Sequence, residues 1–390
     1  MEIGAQQIKA GRGMALFLAA QACGLRRMLH ALASARPLAT ASRQAAAAGF
    51  QELIRRFLAY RRDKLMVQTA MEITSILAYV DTRRRSGEAR QLSCLESLAR
   101  LAVAHNARLL LCDVLESAPD SAGPNPTFER VTSFRRRHAL DTLAKFSSEL
   151  RPVIDAAYIV LDGNPFLEIT RYAIKHRVDL VACAGSAEPD NRVESTGSHL
   201  TRKCPTSVWL MGERGAGHRR EIVVAVDRDI FPASQTPRAM ATRLLDAAVD
   251  LARGESGTIH LVHAWEIYGA EWLDKLREGF GANEVKDYVD AQRYSHTLWL
   301  EELHEQLRTR LKFGSHAGMR SATHLLEGPA GEVITAWLAS NDADVLVMGT
   351  LGISGTPGLF IGNTAEALIS RVEVPVLAIK PLGFRSPVEV

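Results

Sequence analysis

Two tandem doubly wound α/β domains, each on a five-stranded parallel sheet, are the fold class the sequence predicts. Three observations carry it. From residue 73 onward, strand-like apolar runs of four to eight residues alternate with helix-length amphipathic stretches, the β-α-β signature of a parallel sheet covered on both faces. That pattern occurs twice, Ile76-Leu77-Ala78-Tyr79-Val80-Asp81 being echoed by Ile222-Val223-Val224-Ala225-Val226-Asp227. Several anchors then recur at one constant offset of 165 positions: Gly163, Ile169-Thr170, Asp179 and Gly197 return as Gly328, Ile334-Thr335, Asp344 and Gly362. Such a repeat reads as a duplicated domain.

In the second copy each element can be placed in order. Ile222 to Val226 is the first strand, and a helix follows with Leu244, Ala248 and Leu251 on one face. Ile259 to Ala264 is the second strand, leading into a long helical segment. The two first strands lie 146 positions apart, less than the later offset of 165, so this copy carries an insertion around Trp265 to Phe313. His324 to Leu326 is the third strand, Val333 to Ser340 a helix, Val345 to Met348 the fourth strand, Ala365 to Val372 a helix and Val376 to Ile379 the fifth strand. Uninterrupted apolar strands such as Val345-Leu346-Val347-Met348 suit a sheet buried on both faces.

The resulting map has an Ala/Arg-rich extension over 1–70, a first domain over 71–211, a linker over 212–220, a second domain over 221–382 and a tail over 383–390. The extension holds 17 alanines and 11 Lys and Arg against 3 Asp and Glu. Three readings of it stay open: a targeting or regulatory segment, a disordered basic arm, or a stretch upstream of a true start at Met71. Only Phe50 to Leu58 has the pattern of an amphipathic helix. Met14 to Cys23 has the outline of a short secretory signal, but the alanine- and arginine-rich sequence after it opens no folded domain. The glycine-rich stretch Gly212 to Arg220 has no helix after it and reads as linker rather than phosphate loop.

Charge and cysteine usage narrow the function classes. The net charge of +3 conceals a mildly acidic body, because residues 71–390 hold 36 Lys and Arg against 41 Asp and Glu. That balance argues against nucleic acid as a partner. Five widely spaced cysteines without a C-x-x-C pair suit reduced thiols in the cytoplasm. No apolar run of about 18 residues exists to span a bilayer. His260 and His263 lie three apart on one strand and so face opposite sides, which argues against a shared metal. Arg135-Arg136-Arg137-His138, in a helical stretch, reads as a solvated face. Neither a nucleophile elbow, a Walker loop nor a zincin motif occurs, so no catalytic residue and no metal centre is assigned.

The chemistry concentrates in one loop. After the fourth strand of the second copy comes Gly349-Thr350-Leu351-Gly352, then nine residues, then Gly362-Asn363-Thr364 opening a helix. A loop from the carboxyl end of a strand to a helix N-terminus presents backbone N–H groups to an anion, and glycines admit close approach. Asn363 and Thr364 add side-chain donors, and the loop has no Lys or Arg.

These residues carry a resemblance. Gly349-x2-Gly352-x9-Gly362 resembles the glycine nucleotide loop of the universal stress proteins, and Asp227 matches that family's base- and ribose-side aspartate. The tandem layout over about 320 residues looks most like the E-type members. The resemblance implies a Rossmann-like fold of the adenine nucleotide alpha hydrolase-like kind, with ATP or another adenine nucleotide, with or without Mg²⁺, as the small-molecule ligand. It implies that Val226 and Asp227 contact base and ribose, that Ala264 offers backbone to the base, that Met348, Gly349 and Gly352 line ribose and phosphates, and that Gly362, Asn363 and Thr364 bind the phosphates. Asn363 departs from the family's Ser or Thr. In the first copy the glycine positions become Ala184, Ala187 and Gly197, with Glu188 and Asp190 in the loop, so no nucleotide is expected there. The resemblance further implies a binding regulator or adaptor of the stress response rather than an enzyme, with weak ATP hydrolysis left open, and an unidentified protein partner. Strand Ser207–Met211 is expected to pair with Val376–Ile379 as an internal pseudo-dimer, with a homodimer as a further assembly. A nucleotide-independent interaction protein with an architectural glycine loop is the other reading.

Overall fold

A computed structural model describes residues 73–83, 88–116, 126–184, 192–211, 219–228, 236–280, 282–313, 318–350, 362–381 and 383–389. The chain divides into a unit of residues 1–69 and a unit of residues 70–390, and the described residues all belong to the second. The readings of the extension, of the loop carrying Ala187, Glu188 and Asp190, of most of the linker and of Gly352 lie outside the described residues.

The first half runs β1 (Ser75–Tyr79), α1 (Glu88–His105), β2 (Arg108–Leu115), α2 (Pro126–Leu150), β3 (Ala157–Asp162), α3 (Pro165–His176), β4 (Leu180–Ala184), α4 (Arg192–Lys203) and β5 (Ser207–Met211). The second runs β6 (Glu221–Ala225), α5 (Thr236–Leu251), β7 (Gly257–Trp265), a single 3₁₀ turn (Ala270–Trp272), α6 (Leu273–Phe280), α7 (Ala282–Phe313), β8 (Met319–Glu327), α8 (Ala330–Ser340), β9 (Val345–Gly349), α9 (Asn363–Arg371) and β10 (Val376–Ile379). Between its second and third strands the second half carries the 3₁₀ turn, α6 and the 32-residue α7 where the first half has the 25-residue α2 alone, which is where the insertion was expected, and β8 extends well beyond His324 to Leu326.

All ten strands form one sheet in the order β3-β2-β1-β4-β5-β10-β9-β6-β7-β8. Neighbours within each half are parallel, and the halves join where β5 meets β10 antiparallel, with Trp209 opposite Leu377. One apolar cluster runs beneath α1, α2, α5 and α7 across both halves. On the other face the clusters stay separate, one under α3 and α4 and one under α8 and α9.

The repeat anchors each have a local cause. Gly163 and Gly328 adopt φ +132° and +129° at the ends of β3 and β8, and a Cβ there would press on Glu168 or Val333 at 2.9 Å. Asp179 accepts the amides of Thr74 and Ser75 at 2.9 and 3.0 Å, and Asp344 those of Arg220 and Glu221 at 2.8 Å each. Each carboxylate thus ties the amino end of a central strand to its neighbour. Ile169 and Ile334 are buried, while Thr170 and Thr335 bond back to the carbonyls of Phe166 and Gly331.

The tail is docked rather than loose. Ser386 Oγ donates to the Lys203 carbonyl at 2.8 Å, and Arg171 Nε donates to that of Glu389 at 3.2 Å. The basic run on α2 is only partly solvated: Arg136 pairs with Asp162, and Arg135 donates to the Glu116 carbonyl.

Candidate functional site

In the second half the chain leaves β6 toward β7 and leaves β9 toward β10, yet β6 and β9 are neighbours. Connections diverging from two adjacent parallel strands open a crevice at their carboxyl ends. The residues singled out from sequence gather round that crevice. Val226 and Asp227 follow β6, Ala264 is next to last on β7, and Met348 and Gly349 end β9. Gly362 is the N-cap of α9, with Asn363 and Thr364 exposed in its first turn.

The helix start is stitched onto the strand end. Gly362 N–H donates to the Thr350 carbonyl at 3.0 Å, and Thr350 N–H donates to that of Ile379 at 3.1 Å. Gly362 has φ −63° and ψ 145° and supplies no side-chain cap, while its carbonyl accepts from Glu366 N–H at 2.9 Å. The amides of Asn363, Thr364 and Ala365 therefore have no acceptor inside the helix, and α9 turns the positive end of its dipole the same way. A Cβ at Gly349 would meet only Met240, at 3.5 Å, an ordinary contact, so protein packing does not demand glycine there.

Asp227 is exposed, whereas Val226 is buried and its main chain is already engaged. Val226 N–H donates to the Val262 carbonyl at 3.0 Å, and the Val226 carbonyl lies 3.0 Å from His263 Nδ1. His263 Nε2 in turn lies 2.8 Å from His296 Nδ1 on α7. Burial holds His263 down to about 4, so the ring is neutral at pH 7 and donates Nδ1–H to Val226. Its Nε2 then accepts from His296. Arg228 reaches the same helix through Ser295 Oγ at 2.8 Å, and its guanidinium is pulled down by burial. The sequence flagged His263 only as facing away from His260. His296, Ser295 and Arg228 carried no motif, because their contacts join segments 33 and 67 residues apart.

The first half differs at the equivalent place. α4 begins at Arg192, so Gly197, the counterpart of Gly362, lies inside the helix with Leu210 Cδ2 2.8 Å from where its Cβ would be. Asp81, the counterpart of Asp227, is buried and clasped by Arg83. Beside it, burial raises the Asp113 carboxyl, whose oxygen accepts from Thr82 Oγ1. Among the described residues no three or more His, Cys, Asp or Glu side chains converge into a metal cage, and no helix is long and apolar enough to cross a membrane.

Comparison with known proteins agrees with this architecture. The family model described as the universal stress protein family matches residues 218–380. Universal stress protein E of Escherichia coli strain K12 is 31% identical over 239 residues, covering 59% of this chain and 70% of that protein. The universal stress protein E homolog of Haemophilus influenzae is 29% identical over 183 residues, covering 47% and 54%. Among solved structures, a universal stress protein from Archaeoglobus fulgidus superposes with a TM-score of 0.52 at 16% identity, over 79% of this chain and 99% of that one. A putative universal stress protein from Pseudomonas aeruginosa gives 0.51 at 20% identity, over 80% and 95%. Since a relative above 30% identity is matched along more than two thirds of its length, this chain belongs to the universal stress protein family.

Proposed function

We propose that the second half is the nucleotide-binding domain of a tandem stress-response regulator, taking ATP or another adenine nucleotide in the crevice between β6 and β9. The observation that carries the proposal is the contrast between Gly362 and Gly197. Gly362 caps a helix whose first amides have no acceptor inside the helix, whereas its counterpart is buried mid-helix. An anion is favoured at the first and not at the second. Asp227 is exposed at the strand end beside it, placed to accept from ribose hydroxyls. Asn363 and Thr364 donate to phosphate, Ala264, Met348 and Gly349 line the sugar and base, and Gly352 continues the loop. Val226 supports the base through its side chain, since its main chain bonds within the sheet. Mg²⁺, if used, is held through the phosphates.

The mode of action we favour is regulated binding in the cytoplasm, with nucleotide changing the surface offered to a protein partner. The described cysteines, Cys94, Cys112, Cys183 and Cys204, are buried and form no disulfide with one another, which accords with a reducing compartment. The domain boundaries we assign are 71–211 and 221–382, paired through β5 and β10.

Calorimetric titration of ATP into the full chain, alongside Gly362→Val and Asp227→Asn, tests the assignment. Binding that falls at least tenfold in each variant places the ligand here. Equal affinity in all three, or no heat in the parent, would instead support a nucleotide-independent interaction protein.

A further inference from the structure

Away from the nucleotide crevice, on the face covered by α8, two strand histidines meet. His260 Nδ1 on β7 lies 2.9 Å from His324 Nε2 on β8, and His260 Nε2 lies 2.7 Å from Glu221 Oε2 on β6. The Trp337 indole packs over both rings, its centroid 5.3 Å from that of His260 and 4.6 Å from that of His324. The geometry points to a two-histidine site for a divalent transition-metal ion of the zinc and copper class, with His260 Nδ1 and His324 Nε2 as protein ligands.

Proton bookkeeping makes the pair suited to this. Glu221 accepts Nε2–H from His260, which fixes that tautomer and leaves Nδ1 as a lone pair aimed at His324. A carboxylate on the outer nitrogen of a ligating histidine is the usual support of an imidazole metal ligand. Without metal, the proton between the rings belongs to His324 Nε2. On binding, that proton leaves Nε2, His324 takes its other tautomer, and the ion occupies the space between the two nitrogens. No net proton is released if both rings begin neutral. Two nitrogens at about 2.0 to 2.1 Å from a tetrahedral ion stand about 3.3 Å apart with their lone pairs converging on it, so the rings must part by about 0.4 Å and each turn by roughly 35° from the hydrogen-bonded geometry.

Three further features favour a ligand over a purely structural hydrogen bond. Both donors sit on paired strands of one sheet, which fixes their spacing more firmly than loops would. The site is not sealed: the His260 side chain is 16% exposed and that of Glu221 34%, which leaves room for water to complete the coordination. Imidazole nitrogen suits zinc and copper over the hard cations. The other histidine pair, His263 with His296, shares the proton arrangement, with the outer nitrogen of His263 on the Val226 carbonyl, but His263 is almost wholly buried, which leaves no room there for water to complete the coordination.

The test is calorimetric titration of the full chain with Zn²⁺ at pH 7.5, with Cu²⁺ quenching of tryptophan fluorescence as a second readout. One zinc equivalent is expected that His260→Gln and His324→Gln each abolish and His296→Gln preserves. Glu221→Gln is expected to weaken that equivalent 10- to 100-fold. Trp337→Phe should remove much of the copper quench while leaving the zinc equivalent intact. Melting curves matched to the parent exclude misfolding of the histidine variants, and the zinc retained by Trp337→Phe gives an independent check. No heat up to millimolar zinc, a zinc equivalent that survives both histidine changes, or a copper quench unchanged in Trp337→Phe would each overturn the site.

Discussion

Arg83 clasps Asp81 from two sides, Nε on Oδ1 at 2.7 Å and Nη2 on Oδ2 at 2.8 Å. The aspartate just beyond the first strand is thereby buried against the protein's own cation, whereas the side chain of its counterpart Asp227 lies at the surface. Arg83→Ala should lower stability by about 2 kcal/mol, because Asp81 would stay buried after losing its two-point partner, discounted for the partial exposure of Arg83. Chemical denaturation measures that loss. The same variant should gain no ATP affinity in the first half, since the helix there begins before Gly197 and offers no amino terminus at that position.

Arg219 joins the two halves from a place that sequence read as linker. It is buried, its Nε donates to the Leu251 carbonyl at 2.9 Å, its Nη1 to Ser97 Oγ at 3.2 Å, and its Nη2 lies 3.2 Å from Glu255. Arg219→Met keeps much of the volume but leaves a carbonyl, a hydroxyl and a carboxylate short of a donor. A loss of about 3 kcal/mol is expected. Because the α1 contact through Ser97 goes with it, hydrogen exchange should quicken in both α1 and the end of α5.

What sequence made legible and what it hid divide by range. The strands and the duplicated order follow from local period and from anchors repeated at one offset, the β5 to β10 pairing was implied by the family resemblance, and the anchors Gly163, Gly328, Asp179 and Asp344 proved to act within a few residues or at one strand end. The candidate loop was legible for the same reason: glycine and an N-cap are local signals. Side-chain partners were not. His260 and His263 were read correctly as facing apart, but nothing in the sequence marked His324 and His296 as the residues they face. The burial of Arg219 and the early start of α4 depend on tertiary packing, which a charged glycine-rich stretch and an Ala-to-Gly comparison do not reveal.

His263 should make the protein sensitive to mild acid. Its folded value, about 4, lies below the ordinary 6.5, with burial the leading cause. Between those values the unfolded chain binds a proton that the folded chain refuses, so stability present above pH 6.5 is lost as pH falls toward 4. His263→Gln removes that proton uptake. The parent's unfolding free energy, followed by urea titration across this window, should fall more steeply than the variant's by up to one proton equivalent. Parallel slopes would mean that the ring is not neutral in the fold.

Lys380 gives the opposite end of the pH scale its own signature. It directly follows β10, is 2% exposed, and donates to the Thr201 carbonyl in the last turn of α4, with the Phe384 ring centroid 4.8 Å from Nζ. The helix dipole and the ring favour the ammonium, but burial outweighs them and pulls the group from 10.5 to about 8. Between about pH 8 and 10.5 the unfolded chain holds a proton the folded chain has released, so this group makes stability rise with pH through that window. Below pH 8 the fold carries the full cost of a desolvated cation. Lys380→Met, which fills similar volume without charge, should therefore gain most over the parent at pH 7 and lose that advantage toward pH 10. Urea titrations of both proteins at the two pH values measure the difference, and taking it between them cancels the tyrosine and cysteine ionisations they share. An advantage that grows with pH would show that the Lys380 ammonium is stabilised by its surroundings, against the direction argued from its burial.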